Sequence, residues 1–326
     1  MELFDSLKQK ISGLNKTIVF PEGEDVRIIG AASRLAADKL LQPVLLGNVD
    51  TIKATAADKG FDLSDLTLVD PTNVSADEKQ KMLDALVERR KGKNTPEQAS
   101  KMLEDPNYWG TMMVYLGEAD GMVSGAAHPT GDTIRPALQI IKTKPGVKRI
   151  SGYFVLLKDD KRYFFADSAI NIDLDAEGIA EVAVESAQTA KLYDIDPKVA
   201  LLSFSTKGSA KADVVTKMQE ATKLAQAAAP DVPIDGELQF DAAVVPEVAA
   251  SKAPGSPVAG QANVFIFPEL DSGNIGYKIA QRLGGFEALG PLLQGLNKPV
   301  SDLSRGANEE DVYKVAIITA MQSVEL

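Results

Sequence analysis

The residues best suited to chemistry stand near the end of the chain, in Lys298-Pro-Val-Ser-Asp-Leu-Ser-Arg-Gly-Ala-Asn-Glu-Glu-Asp311. Ser304 supplies a short hydroxyl, Arg305 a planar five-donor fork, Gly306 a flexible turn and Asp311 a proton acceptor. Guanidinium forks suit phosphate or acyl phosphate, and a carboxylate can take a proton from an attacking nucleophile, so the set fits acyl or phosphoryl transfer. A helix must hold it. Asn308 is a good N-cap, and Val312, Val315, Ala316, Thr319 and Ala320 recur at helical spacing, which predicts a helix over Glu309 to Gln322 with one buried face. The N–H groups at that helix start favour anions beside Ser304 and Arg305. The same acidic run also serves as a plain complement to the positive helix end, with Asp311 at N3.

Stepping along the chain, strands and helices alternate. Thr17 to Phe20, Gln42 to Gly47 and Leu66 to Val69 read as buried strands; Val26 to Leu41, Ile52 to Lys59 and Ser75 to Arg90 read as helices. Thr95-Pro-Glu-Gln98 opens another helix with a capping box and Pro at N1. Such alternation predicts a parallel sheet covered on both faces. Gly121 to Gly125 is a strand running into a small-residue loop, and a helix beginning at Asp132 or Thr133 would carry Arg135 in its first turn, at a strand's carboxyl end where α/β sheets place ligands. Lys144-Pro-Gly146 breaks the pattern. Beyond it come a hairpin across Lys158-Asp-Asp-Lys161, helices over Ala176 to Tyr193 and Ala212 to Ala229, strands at Val199 to Phe204 and Asn263 to Phe267, and a helix from Asn274 bearing Arg282. Residue pattern alone gives an α/β protein with a break near 145.

Composition narrows the partners. With 326 residues, 44% hydrophobic and 25% charged, the chain has room for two cores. It has no cysteine, which excludes disulfides, thiolate metal sites and Cys nucleophiles. The formal charge is −11, from 46 acidic against 35 basic side chains, and no basic block offsets it, so nucleic acid is not an expected partner. The first residues lack a signal peptide's apolar core and no apolar run approaches a membrane span, so a cytoplasmic protein is expected. Nine arginines, at 27, 34, 89, 90, 135, 149, 162, 282 and 305, must therefore decide locally whether an anion binds.

Other motifs are weaker. Neither a P-loop nor a dinucleotide-binding glycine pattern is present. Lys207-Gly-Ser209 either offers donors to a phosphate or opens the helix from Ala212. Asn171-Ile-Asp-Leu-Asp175 lacks the Gly and distal Glu of a calcium loop and reads as helix capping. His128, the single histidine, reads as a structural hydrogen-bonding group in a loop.

Lys298-Pro-Val-Ser-Asp-Leu-Ser-Arg-Gly306 resembles the C-terminal signature of phosphate acetyltransferases. Four more stretches fit that family in order: Ser124-Gly-Ala-Ala-His-Pro-Thr-Gly-Asp-Thr-Ile-Arg-Pro136, Leu202-Ser-Phe-Ser-Thr-Lys-Gly-Ser209, Asp235-Gly-Glu-Leu-Gln-Phe-Asp241 and Phe267-Pro-Glu-Leu-Asp-Ser-Gly-Asn274. The resemblance covers nearly the whole chain. It implies two α/β domains with largely parallel sheets and an active cleft between them, in the manner of isocitrate and isopropylmalate dehydrogenases. The first domain would take residues 1–146 plus 298–326, completed by the C-terminal helix, and the second 147–297. It also implies a homodimer that interconverts acetyl-CoA plus phosphate with acetyl phosphate plus CoA, with CoA as a substrate and neither metal nor bound cofactor. Arg90, Arg135 and Arg282 would bind CoA and phosphate, as would the Thr130 hydroxyl. Arg89 adjoins Arg90, and which of the two faces the site stays open.

In the thioester-forming direction the CoA thiol must lose its proton. With ordinary values of about 3.9 for an Asp carboxyl and 8.5 for a thiol, complete transfer is uphill by ~6 kcal/mol. Burial of the base would narrow that gap, and concerted proton removal by Asp311 avoids it. Ser304 would then stabilise the oxyanion and Arg305 hold the phosphoryl group. A covalent acyl-Ser304 would need an adjacent base that the sequence does not supply. A phosphate butyryltransferase would share the arginines and differ in its acyl pocket. A metal-dependent decarboxylating dehydrogenase would need a metal-binding aspartate cluster and a dinucleotide loop, and a CoA- or phosphate-binding sensor would bind without turnover.

Overall fold

The computed structural model of the protein describes residues 3–324. In chain order the elements are α1 (Leu3–Ile11), β1 (Thr17–Phe20), α2 (Val26–Ala37), β2 (Gln42–Leu46), α3 (Val49–Lys59), β3 (Thr67–Val69), α4 (Ala76–Arg90), α5 (Pro96–Met102), α6 (Pro106–Leu116), β4 (Gly121–Ser124) and α7 (Thr130–Ile140). There follow β5 (Ser151–Lys158), β6 (Lys161–Ala166), α8 (Ala176–Ala190), β7 (Val199–Leu202), α9 (Asp213–Ala228), β8 (Ile234–Leu238), α10 (Phe240–Val244), α11 (Pro246–Lys252), β9 (Val264–Ile266), α12 (Leu270–Arg282), β10 (Glu287–Gln294), β11 (Val300–Asp302) and α13 (Glu309–Gln322). Two compact units result: one runs up to Gly146 and resumes at Leu296, and the other is Val147–Gly295.

The first unit is built on five parallel strands in the order β11-β4-β1-β2-β3. Helices on both faces leave little water to the strands, so they read as apolar runs: Ile18, Val19 and Phe20, then Val44, Leu45 and Leu46, then Met122 and Val123 are all buried. The C-terminal α13 packs on α1, α2, β1, β4 and β11. Sequence spacing suggested one buried face, yet Val312, Tyr313, Ala316, Ile317, Ile318, Thr319 and Ala320 are all buried. With α1 and α2 covering the side an ordinary surface helix gives to water, α13 is a core helix. Its polar Thr319 is satisfied, donating to Val315 O at 2.8 Å and meeting Ser301 Oγ at 2.7 Å.

Two local differences from sequence expectation matter for the site. Pro299 and the polar Ser301 and Asp302 hide β11, which pairs with β4 so that Asp302 lies level with Ser124. The helix α7 starts at Thr130, with Pro129 as its N-cap, and not at Asp132 or Thr133. Pro129 offers no side-chain hydrogen bond, so the usual start signal was missing and Asp132 mimicked it. Thr130 is thereby the first helical residue, and Arg135 sits in the second turn instead of the first.

The second unit carries a six-stranded sheet ordered β10-β5-β6-β9-β7-β8. Strands β10, β5 and β6 pair antiparallel, the last two through the hairpin closing Lys158 on Lys161, and the remaining pairs are parallel. Phe154, Phe165, Leu202 and Phe265 centre its core. Beside them lies an apolar cavity of about 480 Å³, lined by Tyr163, Phe165, Phe240, Ile279 and Phe286 among others. Asp175 caps α8 by accepting from Gly178 N at 2.8 Å, as expected.

Candidate active site

In the first unit β11, β4 and β1 are neighbours and end on the same edge, so three loops meet there: Pro21 to Asp25, Gly125 to Pro129, and Leu303 to Asn308. Two side chains tie them together. The Glu22 carboxylate, 6% exposed, accepts from the backbone N–H groups of Gly125 at 3.0 Å, Ala126 at 2.8 Å and Ala127 at 2.8 Å, and from His128 Nδ1 at 2.6 Å. It is a resident anion in a nest of amides. His128 is accordingly a structural partner, as its sequence context suggested.

Arg27 is the second tie, and every one of its N–H donors is used. Nε and Nη2 grip Asp25 at 2.9 and 2.7 Å, Nη2 also donates to Ala126 O at 2.8 Å, and Nη1 donates to Arg305 O at 3.0 Å and Ala307 O at 2.8 Å. That hydrogen bonding to Arg27 holds the Asp25 carboxyl below its ordinary value. Only a planar fork can serve a carboxylate and three carbonyls at once. Sequence reasoning missed both residues; the available signals were Pro21-Glu-Gly23 directly after a strand and Asp25 two residues before an arginine.

On this frame stand the expected chemical residues. Ser304, Arg305 and Asp311 are all exposed. Ser304 Oγ accepts from Gly306 N at 3.2 Å, and no carboxylate or imidazole holds it among the described residues. Asp311 and Asn308 form the reciprocal capping box, each side chain accepting from the other's backbone N–H at 2.9 Å, which leaves Asp311 Oδ1 without a hydrogen bond among the described residues. Thr130 Oγ1 donates to Asp302 Oδ2 at 2.7 Å. Asp302 itself, 2% exposed, was also missed. Burial pushes its carboxyl up to about 6, with the neighbouring Glu22 charge adding to the effect. The backbone crosses so closely here that a Cβ on Gly125, whose φ is +110°, would lie 2.5 Å from Asp302 Oδ1.

The arginines separate into two groups. Arg27, Arg34, Arg149 and Arg162 pair with carboxylates. Arg89 caps the end of α7 through Ile140 O at 2.6 Å and Ile141 O at 3.2 Å, and stacks over Tyr115. Among the described residues its neighbour Arg90 has only Asn94 Oδ1 at 2.8 Å and a long contact of 3.4 Å to Gln139 O. Arg135, with its side chain 62% exposed, has a loose 3.7 Å approach to Asp132. Both charges act on the half-buried Tyr108 hydroxyl, which burial shifts upward and Arg135 and Arg90 pull down, so α4, α6 and α7 bring Arg90, Arg135 and Tyr108 together. Arg305 has no side-chain partner among the described residues, and neither has Arg282, which is exposed at the end of α12 in the second unit. The donors near Lys207 are filled: Gly208 N and Ser205 Oγ give to Glu237 at 2.7 and 2.9 Å, leaving that turn no open phosphate cradle.

Residues 2–320 match the family described as phosphate acetyl/butaryl transferase. The chain belongs to that family. A phosphate acetyltransferase of Staphylococcus epidermidis is 58% identical over 329 residues, covering 99% of each chain. A solved phosphotransacetylase from Streptococcus pyogenes superposes with a TM-score of 0.97 at 58% identity, over 99% of this chain and 98% of that one. The fold reaches beyond the transferase family. A Salmonella typhimurium protein given the provisional name 4-hydroxythreonine-4-phosphate dehydrogenase matches 95% of this chain and 99% of its own at a TM-score of 0.56 and 16% identity, a likeness of fold alone.

Proposed function

We propose that this member of the family interconverts acetyl-CoA and inorganic phosphate with acetyl phosphate and CoA, by direct attack of the CoA sulfur in a ternary complex. Arg89 spends its donors on backbone carbonyls; the observation that carries the reading is the remaining set of arginines with no carboxylate at hydrogen-bond distance among the described residues, Arg90, Arg135, Arg282 and Arg305, in a chain of formal charge −11. A guanidinium that no carboxylate occupies keeps its donors free for an incoming anion, and in a chain whose net charge repels anions at long range such local forks are what can hold one. Arg305 holds the phosphoryl group; Arg90, Arg135, Arg282 and the Thr130 hydroxyl bind CoA and phosphate. Ser304 stabilises the oxyanion, and its lack of an activating base supports direct transfer over an acyl-serine. Asp311 is exposed and so is not a desolvated base, which favours proton removal concerted with carbon–sulfur bond formation.

Thiol release from acetyl-CoA plus phosphate tests this. Wild type should turn over, with Arg305→Ala and Asp311→Asn each slowed about 100-fold or more. An inactive wild type overturns the reaction, and a near-normal Asp311→Asn overturns its base. Butyryl-CoA in the same assay separates the butyryl alternative. The same reading makes the protein a cytoplasmic homodimer, needing neither metal nor bound cofactor. Ile275 and Ile279 of α12 and Leu283 just beyond it, 56, 54 and 85% exposed at four-residue spacing, support a covered face there.

A further inference from the structure

Asp302 is the least satisfied acidic group at the loop junction. Glu22 has four donors; Asp302 has one, the Thr130 hydroxyl, and its Oδ1 is buried with no hydrogen-bond partner among the described residues. The Thr133 hydroxyl beside it is likewise buried and near enough to draw the Asp302 carboxyl down somewhat, yet it falls short of hydrogen-bond geometry. A buried carboxylate with a bare oxygen and a second carboxylate nearby is a poor place for a charge and a good one for a proton. Thr130 spans the distance to water: its oxygen reaches the buried carboxyl while the residue itself is exposed, at the first position of α7. The 2.7 Å contact fits either sense of the hydrogen bond. When Asp302 is ionised Thr130 donates inward; when Asp302 holds the proton it donates to Thr130, whose own O–H is freed to point outward.

We propose that Asp302 is a proton-holding residue which acts through Thr130 on the phosphoryl oxygen that leaves the acyl carbon. The inference rests on the acetyl-transfer reading. As the carbon–sulfur bond forms, the bond from the acyl carbon to the bridging oxygen breaks and its electron pair stays on that oxygen. The Thr130 proton passes to it, the Asp302 proton replaces that of Thr130, and the thiol proton goes to Asp311. The products are thioester and hydrogen phosphate, and the two carboxyls reset by exchange with water. Run backwards, ionised Asp302 accepts through Thr130 the proton of the attacking phosphate. A bound phosphate anion itself favours the protonated carboxyl.

The charges around this pair are accounted for. Glu22 acts on Asp302 from the turn after β1, and His128 is bound to Glu22. Arg27 is committed to Asp25 and three carbonyls. On α7, Asp132 and Arg135 approach each other, and on the first turn of α13 Glu310 pairs with Arg34 while Asp311 caps the helix beside Glu309.

Asp302→Asn keeps the shape and an acceptor for Thr130 but has no acidic proton; Thr130→Val removes the relay from an exposed position, and Thr130→Ser restores it. With acetyl phosphate and CoA, the first two should each lose about 100-fold in kcat; the KM for acetyl phosphate should stay within about threefold in Asp302→Asn, whereas in Thr130→Val a rise in KM from the lost binding hydroxyl comes on top of the kcat loss. The double variant should be no slower than either, Thr130→Ser should recover most of the rate, and the loss of kcat toward high pH should vanish in Asp302→Asn. A kcat within about threefold of wild type in Thr130→Val or in a folded Asp302→Asn overturns the proposal, as does a loss confined to KM. Wild-type inactivity would instead overturn the parent reaction, so the two failures are distinct.

Discussion

Asp302 makes a stability prediction separate from its chemistry. Its folded-state carboxyl sits at about 6 against an ordinary 3.8, so the native protein binds this proton more tightly than the unfolded chain does. Stability from this group is therefore full below about 3.8 and declines as pH rises to about 6, beyond which the burial cost of about 3 kcal/mol at most remains. Asp302→Asn should accordingly melt higher than wild type above pH about 6 and lose that advantage toward pH about 4, as measured by thermal unfolding across pH; an advantage that grows toward acid would contradict it. Arg27 works differently, through shape. A lysine keeps the charge but cannot divide its donors among Asp25, Ala126, Arg305 and Ala307. Arg27→Lys should cost about 2 kcal/mol in denaturant unfolding and raise the KM for acetyl phosphate severalfold.

At the scale of elements, Asp311 has two duties that substitution can separate. It closes the capping box of α13 and offers its other oxygen outward. Asn308→Ala should cost about 1 kcal/mol of stability while leaving far more turnover than Asp311→Asn, which a paired melting and thiol assay would show. The helix and its cap were legible in sequence because Asn308, the acidic first turn and the apolar spacing agree. Other elements were not, for identifiable reasons. In α6, Trp109, Met112, Met113 and Val114 are all buried, so no polar face sets a period. Gly290 and Pro291 interrupt β10, which is tolerated because it is an edge strand. The candidate chemical residues Ser304, Arg305 and Asp311 lie close in sequence, which is why they could be proposed from it. Glu22, Arg27 and Asp302 could not, because only the parallel order β11-β4-β1 brings segments so distant along the chain to one edge.

For the molecule as a whole, charge and apolar surface call for different tests. A formal charge of −11 repels polyanions at long range, so binding must come from local arginines acting within about 8 to 10 Å. In the second unit the exposed Ile275, Ile279 and Leu283 should bury against another copy of the chain. Ile279→Lys should shift the molecular mass in solution toward that of a monomer; an unchanged mass in light scattering would leave that face without its assigned occupant. The fold shared with a protein given a dehydrogenase name shows how little the architecture decides. Chemistry is set by what the strand ends display.

The fastening of residue 305 by its carbonyl has a practical outcome. Arg27 grips an atom that every amino acid possesses, so the shape of this turn is indifferent to the side chain mounted on it. Position 305 behaves as an interchangeable fitting on a fixed bracket. Replacing the guanidinium should leave the melting temperature nearly unmoved, so that under the proposed role a loss of turnover in Arg305→Ala reads as lost anion binding and not as a disturbed turn.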